Sequence, residues 1–330
     1  MTVAARTGRI NLIIVSPALA SANNGNWQTA KRYADMLSHV GRVRVQQSWD
    51  GDDTDDMMIA LHARRSHASI SDWYKRRGSS GLIVVLTGTD LYRDIDQDAQ
   101  AKQSLLMAQA LIVLQSEGLA ALPVALHDKA HVLFQSTTSR ATLPKTSLRL
   151  RALMVGHLRA EKSPETFFEA AILLQDRKDI LLRHIGGEHD PELARQAHNT
   201  ESRCLTYRFL GACLHNETRR HIQRAHVLVH ASVMEGGAHV IMEAVCSGVP
   251  VLASKVAGNV GMLGQDYEGY FARGDAKALA SLLLRCRHEP AFLETLQSQC
   301  ALRAPLFDPA AERRDLTTIV QSLYRSIANY

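Results

Sequence analysis

The chain has 330 residues, of which 46% are hydrophobic and 22% charged, a composition typical of globular proteins and a length that favours two domains. Its net charge of +5 is dispersed and only 5% of its residues are aromatic, whereas a nucleic-acid-binding surface needs a dense basic stripe and stacking rings. The five cysteines form no CxxC pair, and no apolar run is long enough to span a bilayer. Because the first residues also lack the apolar core of a signal peptide, we expect a cytoplasmic protein that binds no nucleic acid and no membrane.

Short apolar runs alternate with helix-like stretches along the first half of the chain. Its predicted strands are Ile10–Val15, Val43–Val45, Met58–Leu61, Leu82–Leu86, Leu111–Leu114 and His131–Phe134. Helices are predicted at Trp27–Ser38 and Asp98–Gln109. The polar segment Gln135–Lys145 then interrupts the alternation and is the predicted linker.

The second half repeats this pattern. Its predicted strands are Ala152–Val155, Ile180–His184, Thr206–Phe209, Val227–Val229, Pro250–Ala253 and Tyr270–Phe271. Such alternation predicts an α/β protein with two doubly wound parallel sheets, one in residues 1–145 and one in residues 146–310. Ligands of these sheets bind at the carboxyl ends of the strands, so we expect a cleft between the two domains to hold the substrates. The last segment, 311–330, has apolar residues on one face and is predicted to be a helix.

A pair of glutamates flanks two glycines in the segment 234–243, which reads MEGGAHVIME. If the whole segment were helical, Glu235 and Glu243 would lie about 12 Å apart along the axis and could not share one ligand atom. If Glu235 instead lies in a loop and Glu243 on the second helical turn, they can bind different parts of one extended ligand. The free amides of Gly236, Gly237 and Ala238 would then point at an anion between them. A sugar, a phosphate and a ribose would fit that layout.

A basic loop follows the predicted strand Ala152–Val155 and reads GHLRAEKSP from Gly156 to Pro164. Ser163 and Pro164 are typical of a helix start, and both Arg159 and Lys162 can reach an anion ahead of that helix. The alternative for this loop is a solvated surface. The sequence also leaves open whether the glycine-rich stretch 255–264 lines the cleft or is a flexible turn.

Loops after the predicted strands of the first half carry basic and hydroxyl groups. Segments 61–66 (LHARRS) and 86–93 (LTGTDLYR) place at one sheet edge His62, Arg64, Arg65, Thr87, Gly88, Thr89 and Asp90. Arginines beside hydroxyls and glycines suit a phosphate-like oxyanion, whereas the alternative is a solvated helix start and an ordinary turn. The earlier loop with Asn24, Gly25 and Asn26 is as compatible with a plain connection as with an anion site.

The second half resembles the retaining GT-B glycosyltransferases of family 4. The resemblance rests on E-x7-E after a strand, Gly248-x-Pro-Val at the next strand and Gly156-x5-Lys162 after the first strand of the domain. It implies two Rossmann-like domains, a nucleotide-sugar donor held mainly by the second domain, a final helix that packs back on the first, and no metal or other cofactor. Carried over, Glu235 would contact the donor sugar and Glu243 the ribose hydroxyls, while Lys162 and the amides of Gly236 and Gly237 would hold the diphosphate.

One position departs from the family pattern. The family has an arginine directly after the glycine where this chain has His157, so either His157 or Arg159 would take the phosphate contact of that arginine. The resemblance thus implies the catalytic residues Glu235, Lys162, Arg159 and His62. The donor-binding residues that it implies are His157, Gly186, Gly236, Gly237, Ala238, His239 and Glu243.

The motifs of the first half, together with MEGGAHVI at 234–241 and GNVGMLG at 258–264, resemble the selenosugar synthases of selenoneine biosynthesis. This resemblance runs over almost the whole chain. It implies that selenophosphate attacks the anomeric carbon of a UDP-sugar, UDP-N-acetylglucosamine, and that loss of phosphate leaves a 1-selenosugar. It also implies coupling to a selenophosphate synthetase and to a downstream selenoneine-forming enzyme. The acceptor residues would be Asn24, Gly25, Asn26, Arg64, Arg65, Thr87, Gly88, Thr89 and Asp90.

Other functions remain open to the same sequence. The acceptor could be an ordinary sugar, a sugar phosphate or thiophosphate. A non-catalytic nucleotide-binding module and a nicotinamide oxidoreductase also use doubly wound sheets, because the fold alone does not fix function. The chain lacks the G-x-G-x-x-G fingerprint of dinucleotide-binding folds, which argues against the oxidoreductase.

Overall fold

The computed structural model describes residues 9–19 and 25–328. The chain divides into two compact units: unit 1 comprises Met1–Gln135 and Pro309–Tyr330, and unit 2 comprises Ser136–Asp308. Residues 136–145 of the predicted linker group with unit 2. Within it the Arg140 amide donates to the carbonyl of Cys246 at 2.9 Å, and the Arg140 guanidinium donates to Asn216 Oδ1 at 2.7 Å.

Unit 1 alternates strands and helices as its apolar pattern predicts. Its strands are β1 Ile10–Val15, β2 Gly41–Gln46, β3 Met57–Leu61, β4 Leu82–Leu86, β5 Ala110–Val113 and β6 Ala130–Val132. Its helices are α1 Gly25–Leu37, α2 His67–Arg77, a π-helix at Asp90–Asp94, α3 Ile95–Gln97 and α4 Ala99–Met107, with 3-10 turns at Ser116–Gly118 and Val124–Lys129.

In the described part of unit 1 the strands form one six-stranded parallel sheet in the order β2-β1-β3-β4-β5-β6. Side chains alternate between its faces, so Leu12 and Ile14 lie in one core and Ile13 and Val15 in the other. The central strands are buried on both faces, which is why they read as uninterrupted apolar runs.

Unit 2 repeats the arrangement. Its strands are β7 Leu150–Val155, β8 Ile180–Ile185, β9 Tyr207–Phe209, β10 Val227–His230, β11 Val251–Ser254 and β12 Tyr270–Phe271, paired in parallel in the order β12-β11-β10-β7-β8-β9. Its helices are α5 Pro164–Leu173, α6 Pro191–Arg203, α7 His215–Arg224, α8 His239–Val245, α9 Ala257–Leu263, α10 Ala276–His288 and α11 Pro290–Arg303, with 3-10 turns at Ala160–Lys162 and Ala304–Phe307. The two parallel sheets confirm the predicted α/β class, and every predicted strand overlaps an observed one.

The last helix, α12 (Pro309–Ala328), belongs to unit 1. Its residues Leu316, Ile319 and Val320 lie in the same core cluster as Tyr33 of α1. Burying a side chain such as Leu or Ile contributes roughly 1.5–3 kcal/mol to folding, so this helix is a substantial part of the unit 1 core.

Candidate functional site

The two glutamates lie on different elements. Helix α8 begins at His239, which leaves Glu235 in the loop after β10 and places Glu243 on the second helical turn. The second of the two predicted geometries is therefore the one that the structure adopts. Gly258 of α9 fits against this loop only because it lacks a side chain: a Cβ there would lie 1.9 Å from the carbonyl oxygen of Glu235.

The Glu235 carboxylate meets two basic side chains. Lys162 Nζ donates to its Oε1, and His230 Nε2 lies 3.3 Å from the same oxygen. Burial by itself would raise the pKa of Glu235, but the positive charge of Lys162 and the contact with His230 outweigh it and hold that pKa well below its usual range. Glu235 is therefore ionised, and its side chain is 12% exposed.

The glycines beside Glu235 offer hydrogen-bond donors. Within the part of the chain that the structure describes, the amides of Gly236 and Gly237 have no protein acceptor. The Ala238 amide differs, because it donates to the sulfur of Met262 at 3.1 Å. Two free amides and the Lys162 ammonium therefore lie next to one ionised carboxylate, an arrangement that suits a diphosphate bearing a sugar.

Glu243 is buried at the other end of the motif, with 6% of its surface exposed. His215 Nε2, at the start of α7, contacts its Oε1 at 2.6 Å, and Arg219 Nη1 lies 3.9 Å from that oxygen. The hydrogen bond to Glu243 raises the pKa of His215. Arg219 itself is fixed by bonds to Thr137 Oγ1 and to the carbonyl of Thr138, both at 2.7 Å.

The loop after β7 packs directly on the loop after β8. A Cβ on Gly186 would lie 1.9 Å from the carbonyl oxygen of Gly156, so this approach requires glycine. The Gly187 amide donates to His157 Nδ1 at 2.9 Å, and the His157 ring stacks on His189 with centroids 4.4 Å apart. Burial, followed by the charges of His189, Arg159 and Lys162, lowers the pKa of His157 to about 4.

His157 is consequently neutral near pH 7, with the hydrogen on Nε2 because Nδ1 accepts from Gly187. Arg159 is exposed and, among the described residues, its guanidinium forms no ion pair. Helix α5 begins at Pro164 as predicted, and Ser163 before it adopts a left-handed conformation with φ of 45°. His157 and Arg159 are the two candidates for the phosphate contact that the family makes with an arginine after the glycine. Of these two, only Arg159 carries a charge.

In unit 1 the predicted residues after β3 and β4 come together around Asp90. This fully buried carboxylate accepts the amides of Thr87 at 2.8 Å, Gly88 at 2.9 Å and Ala63 at 3.0 Å. Asp90 therefore ties the two loops to each other. Next to it, His62 has the left-handed φ of 72° and contacts Thr89 Oγ1 at 3.1 Å. Burial lowers the pKa of His62, against the opposing effect of the Asp90 charge.

Two arginines bind a second buried carboxylate, Asp94. Arg64 Nε donates to its Oδ2 at 2.9 Å and Arg93 Nε to its Oδ1 at 3.1 Å, while Arg65 is exposed. His62 Nε2 lies 3.9 Å from Asp94 Oδ2. The segments after β3 and β4 thus carry three guanidinium groups, two of which are held in place by the Asp94 carboxylate.

The earlier loop is only partly described. Gly25 and Asn26 form the first turn of α1, and the Gly25 carbonyl accepts from Thr29 Oγ1 at 2.9 Å. Asn24 lies outside the described residues. Gly25 and Asn26 belong to the same unit as the His62 cluster. Both remain predicted acceptor residues.

Several side chains at these sites were not predicted from the sequence. They are His230, His215 and Arg219 in unit 2 and Arg93 and Asp94 in unit 1. His230 ends β10, so its position at the carboxyl end of a strand was a usable signal. His215 lies 28 residues before Glu243, and nothing local connects the two.

Two negative findings concern the described residues alone. Within residues 9–19 and 25–328, no group of three or more His, Cys, Asp or Glu is arranged to hold a metal ion. Over the same ranges, no helix is both long enough and apolar enough to cross a membrane.

Several solved structures have the same fold over nearly the whole chain. Sucrose-phosphate synthase from Thermosynechococcus elongatus has a TM-score of 0.76 and 17% identity, over 96% of this chain and 100% of that one. Anabaena HepE in complex with UDP and glucose has a TM-score of 0.70 and 14% identity, over 97% of this chain and 100% of that one. The UDP-forming α,α-trehalose-phosphate synthase from Burkholderia xenovorans, in complex with glucose-6-phosphate, has a TM-score of 0.71 and 11% identity, over 94% and 100%.

These likenesses show the fold and confirm the predicted GT-B class. The family model described as glycosyl transferases group 1 matches residues 135–300, half of the chain. The matched segment contains both glutamates, the glycine loop and Lys162. The chain therefore belongs to the group 1 glycosyltransferases.

Proposed function

We propose that this glycosyltransferase moves a sugar from a UDP-sugar, UDP-N-acetylglucosamine, to the selenium atom of selenophosphate. The observation that carries the donor half is the ionised Glu235 beside Lys162 and the two free amides of Gly236 and Gly237. In this proposal Glu235 contacts the donor sugar, Glu243 the ribose hydroxyls, and Lys162 with the two amides the diphosphate. The named contents of the Anabaena HepE structure, UDP and glucose, agree with a donor of this class.

The acceptor half is supported by the charge of the unit 1 cluster. Arg64 and Arg93 bind Asp94, which lies beside His62, and Arg65 is exposed in the same segment as Arg64. Thr87 and Thr89 supply hydroxyl groups after the next strand. Guanidinium groups bind tetrahedral oxyanions through paired N–H donors, which suits a small anion better than a neutral sugar. The choice of selenophosphate among such anions rests on the resemblance of the sequence to selenosugar synthases.

The proposed reaction has two steps. The selenium of selenophosphate attacks the anomeric carbon from the face that the nucleotide leaves, as the bond from that carbon to the UDP oxygen breaks. Lys162, the two amides and Arg159 stabilise the negative charge that develops on the departing diphosphate. Water then cleaves the selenium–phosphorus bond, which releases inorganic phosphate and leaves a 1-selenosugar. An enzyme that makes selenophosphate would have to supply the acceptor.

A sugar phosphate is the second candidate acceptor. The same arginines would bind its phosphate group, and two proteins with this fold are named for making sucrose phosphate and trehalose phosphate. Thiophosphate would also fit an anion site of this charge. A non-catalytic nucleotide-binding module would bind UDP and turn over none of these acceptors.

Mass spectrometry of the reaction products separates these alternatives. The purified protein is incubated with UDP-N-acetylglucosamine and, in parallel, with selenophosphate, thiophosphate or glucose-6-phosphate. We expect a hexosamine product with the isotope pattern of selenium. Product with glucose-6-phosphate alone would overturn the selenium assignment. If no acceptor gives a product, the protein would instead be a non-catalytic nucleotide-binding module.

Titration calorimetry tests the two halves of the proposal independently. Glu243→Ala should weaken UDP binding about tenfold, because a hydrogen bond to a charged group is lost, and should leave selenophosphate binding unchanged. Arg64→Ala should do the reverse, with Arg42→Ala, an exposed arginine of the same unit, as the matched control. UDP affinity that survives Glu243→Ala unchanged would refute the donor assignment.

A further inference from the structure

His230 is a buried histidine with an unsatisfied nitrogen. It ends β10, only 2% of its surface is exposed, and its Nε2 forms no hydrogen bond to any described residue. A buried polar atom without a partner carries a free-energy penalty, so its presence at a functional site needs an explanation. Glu235 Oε1 lies 3.3 Å from this nitrogen.

That oxygen is already taken by Lys162, whose ammonium donates to it. The backbone keeps the three side chains together: the Val233 amide donates to the carbonyl of Glu161 at 2.9 Å, which joins the Glu235 loop to the Lys162 loop. Two donors therefore converge on one carboxylate oxygen, and only one of them is hydrogen-bonded to it.

We propose that His230 is a positioning residue that donates its Nε2 hydrogen to Glu235 Oε1 when Lys162 leaves that oxygen for the diphosphate of a bound nucleotide sugar. The inference rests on the proposed function, in which Lys162 holds the diphosphate and Glu235 the donor sugar. It adds a residue to the donor site and gives the buried nitrogen a partner in the bound state.

The energetic reason is the cost of separating a mostly buried ion pair. Withdrawing Lys162 would leave Glu235 Oε1 without a protein donor on a side chain that is only 12% exposed, and an uncompensated buried charge is strongly destabilising. His230 Nε2 already lies 3.3 Å from that oxygen, so a small shift that aligns its N–H with the oxygen completes the hydrogen bond. Burial lowers the pKa of His230, which keeps the ring neutral and able to serve as a donor without adding a second charge.

The test uses UDP as the probe and two polar replacements of different reach. The amide of His230→Gln extends to the position of Nε2, whereas the shorter amide of His230→Asn does not. UDP affinity is measured by titration calorimetry, and thermal unfolding of the ligand-free proteins checks that both variants fold. We expect His230→Asn to weaken UDP binding about tenfold and His230→Gln to stay within about twofold of the wild type.

A double-mutant cycle separates this role from simple packing. In a Lys162→Met background no cation leaves Glu235 on binding, so adding His230→Asn should change UDP affinity by less than about twofold. Wild-type UDP affinity in His230→Asn, or equal weakening in His230→Asn and His230→Gln, would overturn the inference while leaving the proposed function intact. Absence of UDP binding by the wild type would overturn the proposed donor site itself, and this inference with it.

Discussion

Asp90 in unit 1 begins the π-helix that follows β4, and Glu235 in unit 2 lies in the loop that follows β10, yet different donors hold their carboxylates. Asp90 is fully buried and accepts three backbone amides, which come from two loops. Glu235 is held by the side chain of Lys162, with His230 close by. A carboxylate bound by the backbone fixes loop geometry, whereas one bound by a lysine side chain can exchange its partner when a ligand arrives. We therefore propose a structural role for Asp90 and a ligand-responsive role for Glu235.

The largest expected effect comes from removing the exchangeable cation. Lys162→Met should lower the turnover of UDP-N-acetylglucosamine about 10²–10³-fold, because a positioned charge no longer stabilises the departing diphosphate. The release of UDP over time measures this. Lys178→Met, at an exposed lysine of the same unit, is the matched control. A decrease of less than about tenfold would contradict the role given to Lys162.

Replacing the Asp90 carboxylate should instead lower the stability of unit 1. Asp90→Asn replaces the oxygen that accepts from Ala63 with an NH₂ group, so two donors would face each other in a buried site. We expect a loss of about 3 kcal/mol in the free energy of unfolding of unit 1. Urea titration followed by tryptophan fluorescence reports on unit 1 alone, because Trp27, Trp49 and Trp73 all belong to it. The exposed Asp96→Asn is the control, and equal stability of the two variants would remove the distinction between the two carboxylates.

A smaller effect should follow from moving the Glu235 loop without touching its carboxylate. A methyl group in Gly258→Ala would meet the Glu235 carbonyl at 1.9 Å, and relieving such overpacking costs about 2 kcal/mol. We expect a lower unfolding temperature by calorimetry together with weaker UDP binding. Gly156→Ala is the comparison, since the nearest neighbour of its methyl group would be the Lys162 side chain at 3.4 Å, an ordinary contact that should cost less. A Gly258 variant with unchanged UDP affinity would mean that the loop tolerates displacement.

The smallest expected effect concerns the hydrogen bond between His215 and Glu243. Since this bond raises the pKa of His215, it stabilises the fold fully below pH about 6.5 and the effect is lost as pH rises through the raised value. The His215 side chain is 63% exposed, so solvent screening limits the contribution to about 0.5 kcal/mol. Stability of the wild type and His215→Ala, measured from pH 5 to about 9, should differ at low pH and converge at high pH. A difference that grows with pH would refute this assignment.

The sequence predicts the sheets well and the contacts between loops poorly. Strands such as Leu82–Leu86 are buried on both faces and read as continuous apolar runs, so their positions follow from hydrophobicity alone. The contacts between loops are different. His62 has a left-handed backbone and Asp90–Asp94 forms a π-helix where Asp90 accepts amides from two separate loops, and no local sequence pattern predicts that set of hydrogen bonds. His215 escapes prediction for the same reason, because it meets Glu243 through the tertiary structure. His230 differs, because its place at the carboxyl end of β10 is a signal in the sequence.

The membership of α12 in unit 1 has a consequence for synthesis. Unit 2 is a single continuous segment, Ser136–Asp308, whereas unit 1 takes core residues such as Leu316 and Val320 from the last helix. Domains fold as units as the chain emerges from the ribosome, and all of unit 2 emerges before residues 309–328 do. Unit 1 begins synthesis first and finishes folding last. During that interval the face of its sheet that α12 covers stays open, and this is the stage at which the nascent protein most needs protection from aggregation.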